Sequence, residues 1–380
     1  MAKPRVIAFY LPQYHPIPEN DEWWGKGFTE WTNVARAKPL FPGHYQPRIP
    51  ADLGFYDLRV PEVRERQAEL ARNAGIEGFC YWHYWFDDGR RLLERPFNEV
   101  LALGKPDFPF CLAWANESWY AKLWDKDTRK DRLLIEQTYR GASQYERHFY
   151  DVLPAFRDRR YIKVDGKPVF MIYKPLASTE IPAFIATWRR LAAENGLPGI
   201  YLIGHCFNDR ENLEAYRKLG LDSINVCSIN GFAKRRSFMN KAVSHLWRQA
   251  FKRPYIVSYK KASRLFFDRD IDSALDICPS IITGWDHTPR SGEKGSVFKN
   301  ETPVQFGEHV KTVVDNARGE FVFVKSWNEW AEGNYLEPDL RWRTAYLDEL
   351  ARVRIHVHMG VQKYSVIFRN AFLAGIRGCA

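Results

Sequence analysis

Residues 321–338 read Phe-Val-Phe-Val-Lys-Ser-Trp-Asn-Glu-Trp-Ala-Glu-Gly-Asn-Tyr-Leu-Glu-Pro. The stretch opens with an apolar run typical of a buried strand and continues into a polar segment that carries Glu329 and Glu332. Two carboxylates at a strand end can supply the proton and the charge stabilisation that cleavage or formation of a sugar acetal requires. Acidic residues three apart can also be ordinary charges at a helix N-terminus. The indoles of Trp327 and Trp330 favour the catalytic interpretation, because they would be unusual on a solvated helix start.

Seven further apolar runs precede this one, and most are followed by a polar loop and a stretch of helical periodicity. The eight candidate strands are Val6–Leu11, Ile76–Tyr81, Phe108–Trp114, Pro168–Tyr173, Ile200–Ile203, Ser223–Val226, Ser280–Gly284 and Phe321–Val324. The candidate helices are Val60–Asn73, Arg91–Leu103, Ser143–Arg157, Ile181–Glu194, Glu211–Leu219, Val304–Arg318 and Trp342–Val357. This alternation predicts an α/β fold, a (β/α)8 TIM-type barrel with long βα loops. A doubly wound open sheet is the alternative, but no GxGxxG motif follows the first run.

The domain organisation predicted from the sequence is a single catalytic domain over residues 1–356 with a C-terminal helical tail over 357–380, because no linker or internal repeat interrupts the pattern. Ten Lys and Arg residues and no Asp or Glu lie between Lys234 and Arg264, in a chain whose net charge is +10. We expect a basic helical insertion near 234–264. It is either a solvated face of a packed helix or a peripheral contact with an anionic membrane or a lipid-linked or acidic glycan. No nucleic-acid partner is expected, since no nucleic-acid-binding motif accompanies the charge.

The segments that would indicate secretion or membrane insertion are not evident in the sequence. Residues 1–5 lead directly into the first apolar run without the apolar core of a secretory signal, and no run reaches 18 apolar residues. Five of the six cysteines lie within or beside apolar runs, which indicates buried hydrophobic residues. We therefore expect a cytoplasmic location, with attachment to the periphery of the inner membrane as the alternative.

Polar and aromatic residues follow nearly every predicted strand, at the end of the barrel where active sites of this fold lie. Aromatic faces and short polar groups suit sugar rings. We predict Glu329 and Glu332 as catalytic residues, and the substrate-binding residues Tyr10, Gln13, Tyr14, His15, Trp82, His83, Tyr84, Trp114, Asn116, Glu117, Tyr173, His205, Trp285, Asp286, Arg290, Trp327, Asn328 and Trp330. No cofactor or metal is expected, because the histidines lack HxH or HExxH spacing.

Several of these residues have a structural alternative. Glu117 can equally form a salt bridge with a nearby Arg. Asp286 and Arg290 can pair with each other, or Arg290 can bind an anionic group of the substrate.

Six motifs in order along the chain carry a resemblance to a known family. They are Ala8–His15, Trp23–Trp31, Gly78–Phe86, Trp114–Trp119, Gly284–Arg290 and Trp327–Glu332. On these motifs the chain resembles the bacterial WbsX-type polysaccharide-biosynthesis proteins, which are related to glycoside hydrolase family 99, the endo-α-mannosidases and endo-α-mannanases. The resemblance covers most of the chain and implies a (β/α)8 barrel.

The resemblance also implies a retaining mechanism without a covalent glycosyl-enzyme. Glu329 would act as base on the sugar 2-hydroxyl, which attacks C1 to give a 1,2-anhydro sugar. Glu332 would protonate the leaving oxygen and later activate the acceptor. In these roles Glu332 is expected to have a raised pKa and Glu329 to remain ionised near neutral pH.

Three functions remain open at this point. The first is a glycoside hydrolase acting on an oligosaccharide or polysaccharide, namely a bacterial polysaccharide or its precursor. The second is a glycosyltransferase or transglycosylase of surface polysaccharide biosynthesis, such as that of O-antigen or capsule. The third is a non-catalytic glycan-binding protein. The absence of DxD and Rossmann motifs argues against a nucleotide-sugar donor.

Overall fold

The computed structural model describes residues 3–86, 89–121, 132–229 and 252–353. Eight parallel strands form the central sheet: β1 Arg5–Tyr10, β2 Gly78–Trp85, β3 Phe110–Trp114, β4 Lys167–Ile172, β5 Tyr201–Phe207, β6 Ser223–Cys227, β7 Ile277–Ile282 and β8 Phe321–Lys325. Each coincides with one of the eight apolar runs. Neighbouring strands pair in chain order, and β1 pairs with both β2 and β8, which closes the barrel. The predicted (β/α)8 barrel is confirmed.

Alternation along each strand divides its side chains between the barrel interior and the surrounding helices. In β1, Phe9 points into the barrel, where its ring stacks on Trp82 with centroids 4.9 Å apart. The next residue, Tyr10, points outward and donates its hydroxyl to Gln67 at 2.7 Å. Both are fully buried, because the strand is covered on its two faces.

Seven helices among the described residues surround the barrel. They are α1 Pro61–Asn73, α2 Arg95–Leu103, α3 Ala142–Arg157, α4 Ile181–Glu194, α5 Leu213–Lys218, α6 Pro303–Asn316 and α7 at 345–353, where the described part ends. The helix predicted from Arg91 begins later, because Arg91–Leu92 pairs as a short strand with the end of β2. None of the helices in these ranges is long and apolar enough to cross a membrane.

Long loops at the carboxyl ends of the strands carry short elements of their own. The helices are Pro18–Trp24, Glu30–Arg36, Tyr259–Ser263, Arg269–Asp272 and Thr288–Ser291, with 3-10 turns at Arg210–Asn212, Gly292–Lys294 and Trp330–Glu332. The short strands are Arg91–Leu92, Trp119–Ala121, Arg132–Ile135, Tyr255–Ser258, Ser296–Lys299, Asn328–Glu329 and Asn334–Tyr335. At the opposite end of the barrel, Lys163–Val164 pairs with the start of β4. The predicted long βα loops are present.

Two predicted segments fall largely outside the described residues. The basic insertion near 234–264 is described only from residue 252, where the chain forms a short strand and the helix Tyr259–Ser263. The rest of the insertion and the tail over 357–380 lie outside the described ranges. Within those ranges, Cys80, Cys111, Cys206, Cys227 and Cys278 are buried free thiols, as expected for small core residues.

Candidate active site

Glu329 and Glu332 lie at the carboxyl end of β8, on a tight turn that brings their side chains together. Asn328–Glu329 pairs antiparallel with Asn334–Tyr335, and the 3-10 turn between them ends at Gly333. Gly333 has φ 63°, and a Cβ there would lie 2.7 Å from the Asp286 Cβ. A side chain at this position would therefore disturb the turn that holds the two carboxylates.

Lys325, the last residue of β8, lies against both carboxylates. Its Nζ is 3.3 Å from each carboxyl oxygen of Glu329 and 3.7 Å from Glu332 Oε2. The Lys325 side chain is only 8% exposed, so its charge depends on these two partners. Ser326 adds a 3.3 Å hydrogen bond from its hydroxyl to Glu329 Oε1.

Arg290 supplies the second cation of the cluster. Its guanidinium donates to Glu332 Oε1 at 2.5 Å and contacts Glu30 Oε2 at 3.0 Å. Arg290 therefore pairs with two glutamates and not with Asp286. Because Arg290 is paired with two carboxylates of the protein, its charge is not free to bind an anionic sugar.

The ionisation of the two glutamates is opposite to the expectation from the resemblance. Burial, followed by the charge of Glu332, raises the pKa of Glu329 to about 7. Burial acts to raise the pKa of Glu332 as well, but the charges of Arg290 and Lys325 outweigh it and hold that pKa well below its usual range. The two shifts favour Glu329 over Glu332 as the site of the proton that the pair shares along the hydrogen bond between them.

Aromatic residues from three strands line the space beside Glu329. The Trp82 indole donates to Glu329 Oε1 at 3.2 Å and meets Tyr173 edge-on with ring centroids 5.2 Å apart. Tyr173 in turn stacks on His205 at 5.3 Å. The charge of Glu329 also acts on Tyr84, whose pKa is raised chiefly by burial. Of the predicted substrate-binding residues, these four and Arg290 surround the carboxylate pair.

His205 is held as a neutral imidazole. Its Nδ1 lies 2.6 Å from Asn225 Oδ1, while the Asn225 amide donates to the Cys278 carbonyl at 2.8 Å. Since the amide oxygen is the group that faces the ring, Nδ1 carries the proton and Nε2 remains an acceptor. Burial lowers the pKa of His205 to about 3, so this acceptor persists at neutral pH.

A second set of predicted residues forms the frame beneath the pair. Asn328 exchanges two hydrogen bonds with the Leu11 backbone, at 2.8 and 3.0 Å. Tyr14 donates its hydroxyl to the Asn328 carbonyl and accepts the Trp330 amide. Trp327 and Trp330 are fully buried. The loop after β1 thus holds the turn in place, and these side chains are not positioned to touch a substrate.

The remaining predicted residues lie elsewhere, and three of them point outward to the helices. Tyr10 contacts Gln67, His83 lies 2.9 Å from His148, and the Trp114 indole donates to the Trp85 carbonyl. Strand parity explains this, because Trp82 and Tyr84 face the site while His83 between them cannot.

Four other predicted residues are engaged in loops. Trp285 donates to Ser296, and both oxygens of the fully buried Asp286 accept hydrogen bonds from within the protein, from His44, Gln46 and Thr288. His15 is buried, and burial lowers its pKa to about 4. The carbonyl of Gln13 accepts the Glu30 amide at 3.1 Å. Gln13 therefore helps to place Glu30.

Asn116 and Glu117 lie beside a cavity of about 400 Å³ at the carboxyl ends of β3 and β4. Glu117 forms a salt bridge, as in the structural alternative, but its partner is Lys174 and not an Arg. Tyr120, Gln137 and Tyr139 contribute to the lining. Its lining includes Lys174, the residue after Tyr173, but neither Glu329 nor Glu332.

Sequence reasoning missed Lys325, Glu30 and Glu337. Lys325 stands directly after an apolar run, and the barrel rule that selected Trp327 applies to it equally. Glu30 lies in the motif Trp23–Trp31, but its contact with Arg290 joins residues 260 positions apart. Among the residues that the structure describes, no group of three His, Cys, Asp or Glu could hold a metal ion.

The closed barrel and the acidic pair at its carboxyl end define a protein with a glycoside hydrolase-like fold. The family model described as "Glycosyltransferase WbsX" matches residues 6–350, and the chain belongs to this carbohydrate-active family. Two proteins of Xanthomonas campestris pv. campestris, from strains ATCC 33913 and B100, both described as uncharacterized protein WxcX, are 37% identical over 354 residues. The match covers 90% of this chain and 48% of each relative, so the chain spans about half their length.

Solved structures share the fold at low sequence identity. An endo-α-mannosidase of glycoside hydrolase family 99 from Bacteroides thetaiotaomicron, in complex with bis-tris-propane, superposes with a TM-score of 0.60 at 15% identity, covering 94% of this chain and 98% of that one. A protein described as glycoside hydrolase-like gives a TM-score of 0.56 at 16% identity, covering 93% and 94%. At such identities the likeness concerns the fold.

Proposed function

We propose that this protein cleaves a glycosidic bond of a bacterial polysaccharide or its precursor, with Glu329 and Glu332 as the reacting carboxylates. The observation that carries the proposal is the contact of both carboxylates with Lys325 at the mouth of the barrel. Paired carboxylates of unequal proton affinity are what acid–base cleavage of an acetal needs. Trp82 and Tyr173 beside them offer the aromatic faces on which sugar rings pack.

The proposed reaction retains the configuration of the sugar through a 1,2-anhydro intermediate, as in the related hydrolase family. Glu329 accepts the proton of the 2-hydroxyl, whose oxygen attacks C1 while the bond from C1 to the leaving oxygen breaks. Glu332 donates its proton to that oxygen. In the second step the incoming hydroxyl gives its proton to Glu332 and its oxygen attacks C1 while the C1–O2 bond of the anhydro ring breaks. Glu329 returns its proton to the released O2.

The resting protonation state must invert before this reaction begins. The raised pKa of Glu329 and the lowered pKa of Glu332 favour the proton on Glu329, whereas the first step requires it on Glu332. A leaving oxygen that displaces Arg290 from Glu332 would remove the charge that keeps Glu332 ionised. The proton can then pass along the hydrogen bond between the two carboxyl groups. Substrate binding is thereby coupled to activation of the acid.

A second candidate is transfer of the sugar to another sugar hydroxyl. The cavity of about 400 Å³ at Asn116, Glu117 and Lys174 has the volume and the polar lining to hold an acceptor ring. The family description as a glycosyltransferase agrees with this reading. The same two carboxylates would serve, because water and a sugar hydroxyl present the same nucleophile.

The experiment that tests the proposal incubates the protein with bacterial surface polysaccharides and lipid-linked oligosaccharides and follows products by mass spectrometry. The test variant is Glu329→Gln/Glu332→Gln, and the matched control is Glu308→Gln on the exposed face of α6. Fragments that gain one water, made by wild type and control only, support hydrolysis. Products lengthened by a sugar support transfer. Equal products from the double variant would refute the assignment, and binding without turnover would support a non-catalytic role.

A further inference from the structure

Lys325 distinguishes this cluster from a bare pair of glutamates. It is a strand residue, buried at the barrel mouth, and its ammonium lies within 4 Å of both carboxyl groups. It contacts Glu329 symmetrically, with both Nζ–O distances at 3.3 Å. A buried cation in this position acts on both members of the pair at once.

The charges of the cluster can be counted from its contacts. Glu30, Glu329 and Glu332 provide three carboxylates, and Arg290 and Lys325 provide two cations. With one proton on the pair the cluster is neutral. With Arg290 as its sole cation, the same cluster would need two protons for neutrality. Because buried net charge is costly, neutrality determines how many protons the pair retains.

Four other titratable groups near the cluster stay uncharged near neutral pH. Cys227 remains a thiol because burial raises its pKa to about 12, and His205 is neutral. Burial also raises the pKa values of Tyr84 and Tyr173. His287 faces Glu332 from the loop after β7, where its Nδ1 lies 2.7 Å from the Ser291 hydroxyl.

We propose that Lys325 is a positioning residue that limits the Glu329/Glu332 pair to a single shared proton. This inference rests on the proposed function for its purpose, since acid–base cleavage requires one carboxyl group protonated and the other ionised. Without the ammonium, the pair would keep a second proton up to a higher pH, while Arg290 alone would favour an ionised Glu332. Over that added pH range the pair would contain an acid but no base.

The test is a titration of the carboxyl groups that requires no substrate. The full chain is labelled with δ-13C glutamate, and the resonances of the pair are assigned by their loss in Glu329→Gln and Glu332→Gln. In wild type we expect one carboxyl group of the pair to be protonated and the other ionised at mildly acidic pH. In Lys325→Met the midpoints should move upward by about one pH unit or more. Lys325→Arg should keep the wild-type proton count.

The matched control is Lys311→Met, which removes a lysine charge from the exposed face of α6. It should leave both midpoints unchanged. Unchanged midpoints in Lys325→Met would overturn the inference. If Lys325→Met does not fold, the titration of the wild-type protein tests the inference by itself. Ordinary carboxyl midpoints for both Glu329 and Glu332 in wild type would also overturn the inference.

Activity provides the second readout once a substrate is known. In Lys325→Met the alkaline limb of the pH–rate profile should move upward with the titration midpoints. A protein without turnover whose carboxyl groups titrate as expected would refute the proposed function and leave the role of Lys325 intact.

Discussion

Two sets of buried glutamates stand on the same segment of the chain, and they differ in what surrounds them. Glu329 and Glu332 contact the cations Lys325 and Arg290. Glu337, 2% exposed, instead accepts three uncharged donors: the Tyr56 hydroxyl at 2.8 Å, the Gln67 amide at 2.6 Å and the Trp330 indole at 2.6 Å.

The difference shows that burial alone does not assign a role to a carboxyl group. Neutral donors satisfy the oxygens of Glu337 without supplying charge, and burial raises its pKa to about 7. Those donors come from the loop after β1, from α1 and from the turn that carries Glu329 and Glu332, so Glu337 joins these three parts of the frame. Cations around Glu332 hold it ionised against the same burial. Unequal proton affinities then arise only in the charged pair.

The largest expected difference between the two sets concerns turnover. Glu332→Gln or Glu329→Gln should lower turnover of a glycan substrate by about 10²–10⁴-fold, since each removes a proton-transfer group. Glu337→Gln should lower it far less, because its side chain contacts the frame. The measurement is the rate of product formation by equal amounts of folded protein. A comparable loss in Glu337→Gln would erase the distinction.

The next largest effect is expected on stability when a cation is removed. Arg290→Met leaves Glu30 and Glu332 buried without their partner, and should lower the free energy of unfolding by about 3–5 kcal/mol near pH 7. In wild type the lowered pKa of Glu332 stabilises the fold at pH values above the pKa that this group has in the unfolded chain. That stabilisation is lost as the pH falls toward the lower pKa of the folded state. The deficit of Arg290→Met should therefore shrink in acid.

Urea unfolding at several pH values measures this deficit. The double variant Arg290→Met/Glu332→Gln should lower the free energy of unfolding by less than the sum of the two single substitutions, because the neutral amide needs no cation beside it. A deficit independent of pH would show that Arg290 acts through packing and not through its charge.

A smaller effect on stability is expected at Glu337, whose hydrogen-bond donors are uncharged. Glu337→Gln places an amide donor against donors and should cost about 1–3 kcal/mol. Its pH dependence has the opposite sign to that of Arg290→Met. Because the folded pKa of Glu337 is raised to about 7, its stabilising contribution is largest in acid and falls as pH rises toward that value. Denaturation of wild type and Glu337→Gln at acid and alkaline pH should show that the stability deficit of the variant shrinks as the pH rises.

The smallest effect is expected where an ion pair of the same chemistry is exposed to water. Glu117 and Lys174 form a salt bridge with side chains that are 36% and 47% exposed. Lys174→Met should change the free energy of unfolding by less than about 1 kcal/mol. Thermal unfolding beside Arg290→Met would compare the two pairs directly. An equal loss of stability in Lys174→Met and Arg290→Met would mean that burial does not determine how much these ion pairs contribute to stability.

The sequence predicted the barrel well and the site unevenly. All eight strands were located because strands covered on both faces are nearly continuous apolar runs. The site depends on which alternate residues of each strand face the barrel interior. An uncertain strand boundary does not determine which residues those are. Trp82 was correctly placed beside Glu329, whereas Tyr10 and His83 point outward. Phe9 occupies the interior position next to Tyr10.

The sequence by itself determined the order of strands and helices, the resemblance to a family and the position of the glutamate pair, because periodicity and motif spacing are local properties of the chain. Only the tertiary structure decided which glutamate carries the proton. That choice depends on burial and on Lys325, Arg290 and Glu30, which the closure of the barrel brings together from distant segments. Electrostatic energies depend on distances in space, and those distances exist only once the barrel has closed.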